Sequence, residues 1–254
     1  EPDSGLFICE SSKVIRRALE AGYQALSILT SEKNIDKPDL DTEYIFDKCK
    51  DIPIYFGADA ILRNLAGYAL TGGIFAAMKR KNMPSMEKIL DSDNIFNSNN
   101  VKNKKKVVAV LENIHNPTNM GAIFRSAAAL GINAIIITDD STDPLYRRAE
   151  RVSMGTVFQI AWTRIGPKED YIKILKEKGF STVAMALSED AVNIDDPEIK
   201  KEEKLAIVLG NEGYGLKSDT IDRCEYVAMI PMNPLVDSLN VAAASSVMFW
   251  ELIH

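Results

Sequence analysis

The chain has 254 residues, of which 46% are hydrophobic and 26% charged, and it carries a formal net charge of −6. This is the composition of a soluble globular protein, with room for one large domain or two of ordinary size. It excludes a chain too short to bury a core. The acidic balance argues against holding nucleic acid by bulk positive charge and leaves local basic patches open. No apolar run reaches membrane-spanning length; the longest, such as AIIIT at 134–138, are strand-sized. Cys9, Cys49 and Cys224 are scattered, no CxxC occurs, and the histidines are His115 and His254 alone. That pattern speaks against a metal site or a disulfide framework and suits the reducing cytoplasm. The chain opens on Glu1 rather than Met, which leaves a removed leader open.

Short apolar runs alternate with helical patterns through the first segment. LFICE at 6–10 predicts a strand; Ser11 or Ser12 can cap a helix to residue 21, which Gly22 ends. Strands are expected at 25–31, 53–57 and 72–80, with helices from Asp41 and Thr42 to about residue 50 and over 58–65. The Asn-, Asp- and Ser-rich stretch from residue 91, ending in lysines, predicts a linker. Beyond it lie strand candidates at 107–112, 134–138, 156–162, 181–187, 205–210 and 226–232. Several are almost wholly apolar, as in a parallel sheet covered on both faces. A helix is expected over 119–130, stopped by Gly131, and another closes the chain over 240–253.

Three polar clusters follow three of these strands, where ligands bind in open α/β sheets. In ENIHNPTNMGAIFRSAAALG (112–131), Ile123, Phe124, Ala127 and Leu130 share one helix face and Arg125 lies on the other, among alanines too small to cover it. Arg125 reads either as a solvated surface residue or as a guanidinium held over an open site to meet an anion. Asn119 reads as a helix N-cap or as a site residue. In IVLGNEGYGL (207–216) the glycines run GxxGxG, not the dinucleotide order GxGxxG, and Glu212 is a turn acid or a site carboxylate. In IPMNPLVDSLNVAAASSVMFWEL (230–252), Ser238 or Asn240 can cap a helix whose first turns are all small residues, suited to close backbone packing.

Together these three segments resemble motifs one, two and three of the SpoU (TrmH-like) RNA methyltransferases of the SPOUT class. DPLYRRAERVSMGTVFQIA (143–161) is similar to the segment that family carries between its first two motifs, and the resemblance runs from Lys105 to His254. The first ninety residues resemble, by pattern, the ribosomal-L30-like (L30e-like) substrate domain that often precedes it. The resemblance therefore implies an α/β fold: residues 1–90 as an L30e-like RNA-binding domain, 91–105 as linker, and 106–254 as a SPOUT-type parallel-sheet domain with a deep trefoil knot.

It also implies methyl transfer from S-adenosylmethionine to a ribose 2′-hydroxyl of structured RNA, tRNA or rRNA, by a homodimer with sites near the subunit interface. Arg125 becomes the key catalytic position. A guanidinium rarely gives up its proton, so a phosphate clamp that orients the hydroxyl is the expectation and a base the alternative. Asn119, Glu212, Ser238 and Asn240 carry over as polar companions, with Glu212 holding Arg125 or accepting a proton. Leu187, Ser188, Leu209, Gly210, Gly213, Ile230, Met232 and Leu239 carry over as the cofactor pocket. The basic clusters Lys79, Arg80, Lys81 and Arg147, Arg148, Arg151 are candidates for RNA phosphates or plain solvated faces. No membrane and no metal are implied. The competing readings are an RNA-binding module of the same fold without turnover, and a methyltransferase acting on a base.

Overall fold

The computed structural model describes residues 4–66, 72–92, 105–188, 190–233, 235–236 and 238–254. The proposed linker falls largely outside them. In chain order the elements are β1 (Leu6–Glu10), α1 (Ser12–Glu20), β2 (Gln24–Ser31), α2 (Glu32–Asp36), α3 (Leu40–Lys48), β3 (Ile54–Gly57), α4 (Asp59–Ala66), β4 (Ile74–Lys79) and α5 (Met86–Asp91). Then come β5 (Lys106–Leu111), α6 (Pro117–Leu130), β6 (Ala134–Ile137), α7 (Arg147–Val152), a 3₁₀ turn (Thr156–Phe158), β7 (Ala161–Arg164), α8 (Tyr171–Glu177) and β8 (Ser181–Met185). Finally there are β9 (Val192–Asn193), α9 (Pro197–Lys200), β10 (Lys204–Leu209), α10 (Ser218–Arg223), β11 (Tyr226–Met229) and α11 (Val241–Ile253).

Two compact units emerge: Glu1–Asn82 with Asp143–Gln159, and Met83–Thr142 with Ile160–His254. These divisions differ from simple cuts in sequence. Helix α5 belongs to the second unit, where Met86, Ile89 and Leu90 join its core. The segment 143–159 belongs to the first.

The first unit is a four-stranded mixed sheet, ordered β1-β4-β2-β3. The segment 143–159 packs into it through aromatic and charged contacts. Phe158 meets Phe7 and Tyr23 with centroids 5.9 and 5.1 Å apart, and Arg17 donates to the carbonyl of Met154. The strand expected over 156–162 begins only at Ala161. Gly155, at φ 78°, instead opens the 3₁₀ turn that buries Val157 and Phe158. A short apolar run buries equally well as strand or turn, so pattern could not separate them.

Helix α7 also buries Glu150 completely, and among the described residues the Cys9 thiol lies near its carboxyl but no donor meets either oxygen with good hydrogen-bond geometry. Burial pushes this carboxyl well above its ordinary value of 4.5; the Cys9 thiol and Arg80 oppose the shift, while Asp143 and Glu10 add to it. A raised folded value means this group favours the fold most below about pH 4.5, and that contribution is lost as pH climbs toward the folded value. Glu150→Met should therefore raise stability at pH 8 by about 1–3 kcal/mol and change it far less at pH 4.5. Thermal melts of both proteins across that range check this; parallel pH profiles would contradict it.

The second unit is a seven-stranded sheet, ordered β7-β6-β5-β10-β8-β11-β9, with every pairing parallel. Strands β5, β6 and β10 are buried almost end to end, as the apolar runs required. Their β-branched side chains suit a sheet covered on both faces. Helix α6 starts at Pro117, two residues before the expected start. The side chain of Asn116 caps it by accepting from Thr118 N at 2.8 Å, and Pro117 loses nothing at a position whose N–H is unbonded anyway. Gly131, left-handed at φ 90°, ends it. Asn116, rather than Asn119, is thus the cap, and Asn119 is released for another task.

Candidate active site

The carboxyl ends of β5, β10, β8 and β11 lie side by side, and the polar segments follow directly from them. A cavity of about 450 Å³ opens there. Its walls include Leu187, Leu209, Gly210, Gly213, Ile230, Met232, Leu239 and Ser238 from the sequence-derived set. Of the proposed cofactor residues, Ser188 alone is not on the lining. Met185, Ala228, Met229, Val241 and Ala244 add apolar wall that the motifs did not reveal. The size and the mixture of apolar side chains with strand-end backbone suit a small organic ligand.

One wall is the turn after β10. Asn211 and Gly215 exchange two backbone hydrogen bonds, at 3.0 and 2.9 Å. The Asn211 carboxamide oxygen accepts from Gly213 N and Tyr214 N, and its nitrogen donates to Asn113 O. Gly210 is where this turn closes back on its strand. A Cβ there would lie 2.5 Å from Gly215 C and Leu216 N.

From below, buried Glu112 anchors the same turn. It accepts from Tyr171 Oη at 2.6 Å, Thr220 Oγ1 at 2.7 Å and Lys217 N at 3.0 Å. Burial, and then the bond to Glu112, push the Tyr171 phenol far up. Glu112 opens motif one, yet nothing in the pattern marked it as a brace.

At the rim the motifs meet. Asn119 Nδ2 donates to Glu212 Oε1 at 2.6 Å, and Asn240 Nδ2 donates to Asn119 Oδ1 at 3.1 Å. Asn240 also caps α11, its Oδ1 accepting from Ala242 N and Ala243 N. The capping role foreseen for Asn240 is therefore present, beside its bond to Asn119. The small residues at the start of α11 allow close packing on α6, where the Ser126 and Ser246 hydroxyls sit 2.8 Å apart. Glu212 is bonded to Asn119 rather than to Arg125, which corrects one of its expected roles. Arg125 is exposed on α6 and does not line the cavity.

The basic clusters have structural duties in the first unit. Arg80 pairs with Asp143 and donates to Leu6 O at 3.0 Å, and Lys81 donates to Ala21 O. Arg147 and Arg151 face the buried Glu10 at 3.8 and 3.3 Å. Lys79 and Arg148 are exposed. Among the described residues no group of His, Cys, Asp and Glu could hold a metal ion, and no helix is long and apolar enough to cross a membrane.

The chain is 29% identical over 247 residues to an uncharacterized tRNA/rRNA methyltransferase of Mycobacterium bovis, covering 97% of this chain and 80% of that protein. Its fold matches the SpoU methyltransferase AviRb of Streptomyces viridochromogenes, solved with AdoMet, at a TM-score of 0.77 and 20% identity, covering 99% of this chain and 91% of that one. It also matches an RNA 2′-O ribose methyltransferase at a TM-score of 0.75 and 21% identity, covering 99% and 89%. Both likenesses establish the SPOUT-type fold. Residues 106–250, more than half of the chain, match the SpoU rRNA Methylase family, and the chain belongs to that family.

Proposed function

We propose that this protein is a cytoplasmic S-adenosylmethionine-dependent methyltransferase of structured RNA, and that it acts on a ribose 2′-hydroxyl of tRNA or rRNA. The observation that carries this reading is the strand-end cavity with the Asn240–Asn119–Glu212 chain fixed at its rim. Glycine turn, aliphatic walls and backbone fit an adenosine-sized ligand. When bound, S-adenosylmethionine supplies a methyl carried on a sulfonium, which passes to the hydroxyl oxygen as its carbon–sulfur bond breaks.

The hydroxyl proton needs an acceptor near that oxygen. Glu212 is our assignment: Asn119 holds one carboxylate oxygen and leaves the other for the ribose, and Ser238 lines the same cavity. Asn240 orients Asn119. Arg125 takes a phosphate next to the target ribose, a task that its exposure allows and that a planar guanidinium fork suits better than that of a base.

Homodimerisation belongs to the same reading. Ala243, Val247 and Trp250 form an exposed apolar stripe along α11, one helix away from Arg125. The trefoil knot and an L30e-like RNA-binding role for the first unit complete the proposal, with Lys79 and Arg148 among the exposed members of its candidate basic clusters.

The direct test is transfer of labelled methyl from S-adenosylmethionine to bulk RNA, followed by nucleoside analysis. The proposal expects a 2′-O-methylnucleoside; a base-methylated product or none would contradict it. Arg125→Lys should lower kcat/KM about 10- to 100-fold, the worth of a lost bidentate charged contact, and leave cofactor affinity unchanged. Full activity in that variant would remove the clamp.

A further inference from the structure

Tyr214 is 92% exposed, yet it sits on a turn tied by both backbone and side-chain hydrogen bonds. Its own N–H is bonded to Asn211 Oδ1. The flanking residues close an antiparallel bridge. Two positions earlier, Glu212 is bonded to Asn119. A ring so open is normally a free surface side chain, and its exposure alone would carry nothing. Here the backbone beneath it is immobilised on both sides and the ring stands on the rim of the candidate cavity.

We propose that Tyr214 is a stacking platform for a base of the RNA substrate, at or beside the nucleotide that is modified. This rests on the RNA-methyltransferase reading of the same site. Three observations favour an RNA base over the adenine of the cofactor or a protein partner. The ring borders the cavity but is nearly all in solvent, so it is open to a base arriving from outside rather than enclosed as a cofactor adenine would be. It shares its turn with the proposed proton acceptor Glu212, so a base laid on it comes from the side where the ribose must arrive. The chain is acidic, with a net charge of −6, and Arg80, Lys81, Arg147 and Arg151 among its candidate phosphate-binding residues are engaged in bonds or ion pairs within the first unit. A contact that needs no charge therefore has most to add. A fixed turn also spares the ordering cost that a mobile loop would incur on binding, and every base offers a π-face whatever its sequence.

The experiment compares the wild-type protein, Tyr214→Ala and Tyr214→Phe in binding an adenine-only RNA dodecamer and an abasic RNA dodecamer, each over a range of salt. Affinity for the adenine dodecamer should fall about 5- to 100-fold in the alanine variant and stay near wild type in the phenylalanine variant. Affinity for the abasic strand should not separate the three proteins. The slope of log affinity on log salt should be the same for all, because no phosphate contact is removed. Binding of S-adenosylmethionine and the oligomeric state should also be unchanged.

Wild-type affinity for the adenine dodecamer in Tyr214→Ala overturns the proposal, as does a wild-type protein that does not distinguish the two strands. A loss confined to cofactor binding would make the ring part of the cofactor site, and a change of oligomeric state would make it an interface residue; either overturns it too. Failure of the wider reading looks different: the wild-type protein would bind no S-adenosylmethionine and transfer no methyl, whatever Tyr214 does.

Discussion

Gly210→Ala should lower affinity for S-adenosylmethionine by about 100-fold, roughly 2.7 kcal/mol. The added carbon would sit 2.5 Å from Gly215 C and Leu216 N and 2.7 Å from Gly215 O, all backbone atoms. No side chain can swing away to relieve this, so the whole turn must move, and it carries Glu212, Gly213 and Tyr214. Gly213→Ala is the matched control. Its new carbon would meet only Asn211 Oδ1, at an ordinary 3.5 Å. Gly213→Ala should keep the melting temperature of the wild-type protein. Calorimetric titration and thermal melts of the two variants check the pair; equal behaviour would refute the close-approach account.

The second large effect is on stability. Glu112→Ala should cost at least about 2 kcal/mol, because it strands the Tyr171 and Thr220 hydroxyls in the interior and removes the acceptor of the Lys217 N–H. Each buried group left without its partner costs about 1–3 kcal/mol. Glu112→Gln keeps an acceptor for part of the set and should fall between the two. Urea unfolding midpoints decide it. A loss below 1 kcal/mol in the alanine variant would mean that Glu112 does not brace the turn. Because Lys217 and Thr220 begin the helix after the glycine turn, the same variant should also weaken cofactor binding.

Local chemistry made much of this legible. Strands β5, β6 and β10 announce themselves as nearly unbroken β-branched and aliphatic runs, and Gly131 ends α6 where a left-handed residue was needed. Of the cofactor residues that the family resemblance named, all but Ser188 line the strand-end cavity. What stayed hidden depends on contacts between residues far apart in sequence. Asn119 looked like a helix cap until Asn116 took that place, and only then was its side chain free to join Glu212 to Asn240.

Arg80 and Arg147 read as phosphate contacts or as solvated faces, and the sequence could not show that Asp143 and Glu10, distant along the chain, pair with them. The turn at 156–158 carried the apolar signal of a strand because its residues enter the core of the first unit, and a short run reports burial rather than backbone shape. The assignment of 143–159 to that unit rests on Phe158 and Arg17, which no local pattern links.

The most direct test of the central claim is calorimetric titration of the full chain with S-adenosylmethionine and, separately, with S-adenosylhomocysteine. The account predicts saturable binding of both at one site per chain, abolished or greatly weakened by Gly210→Ala. Absence of binding, even with bulk RNA present to complete the site, would contradict it and leave an RNA-binding protein of the methyltransferase fold.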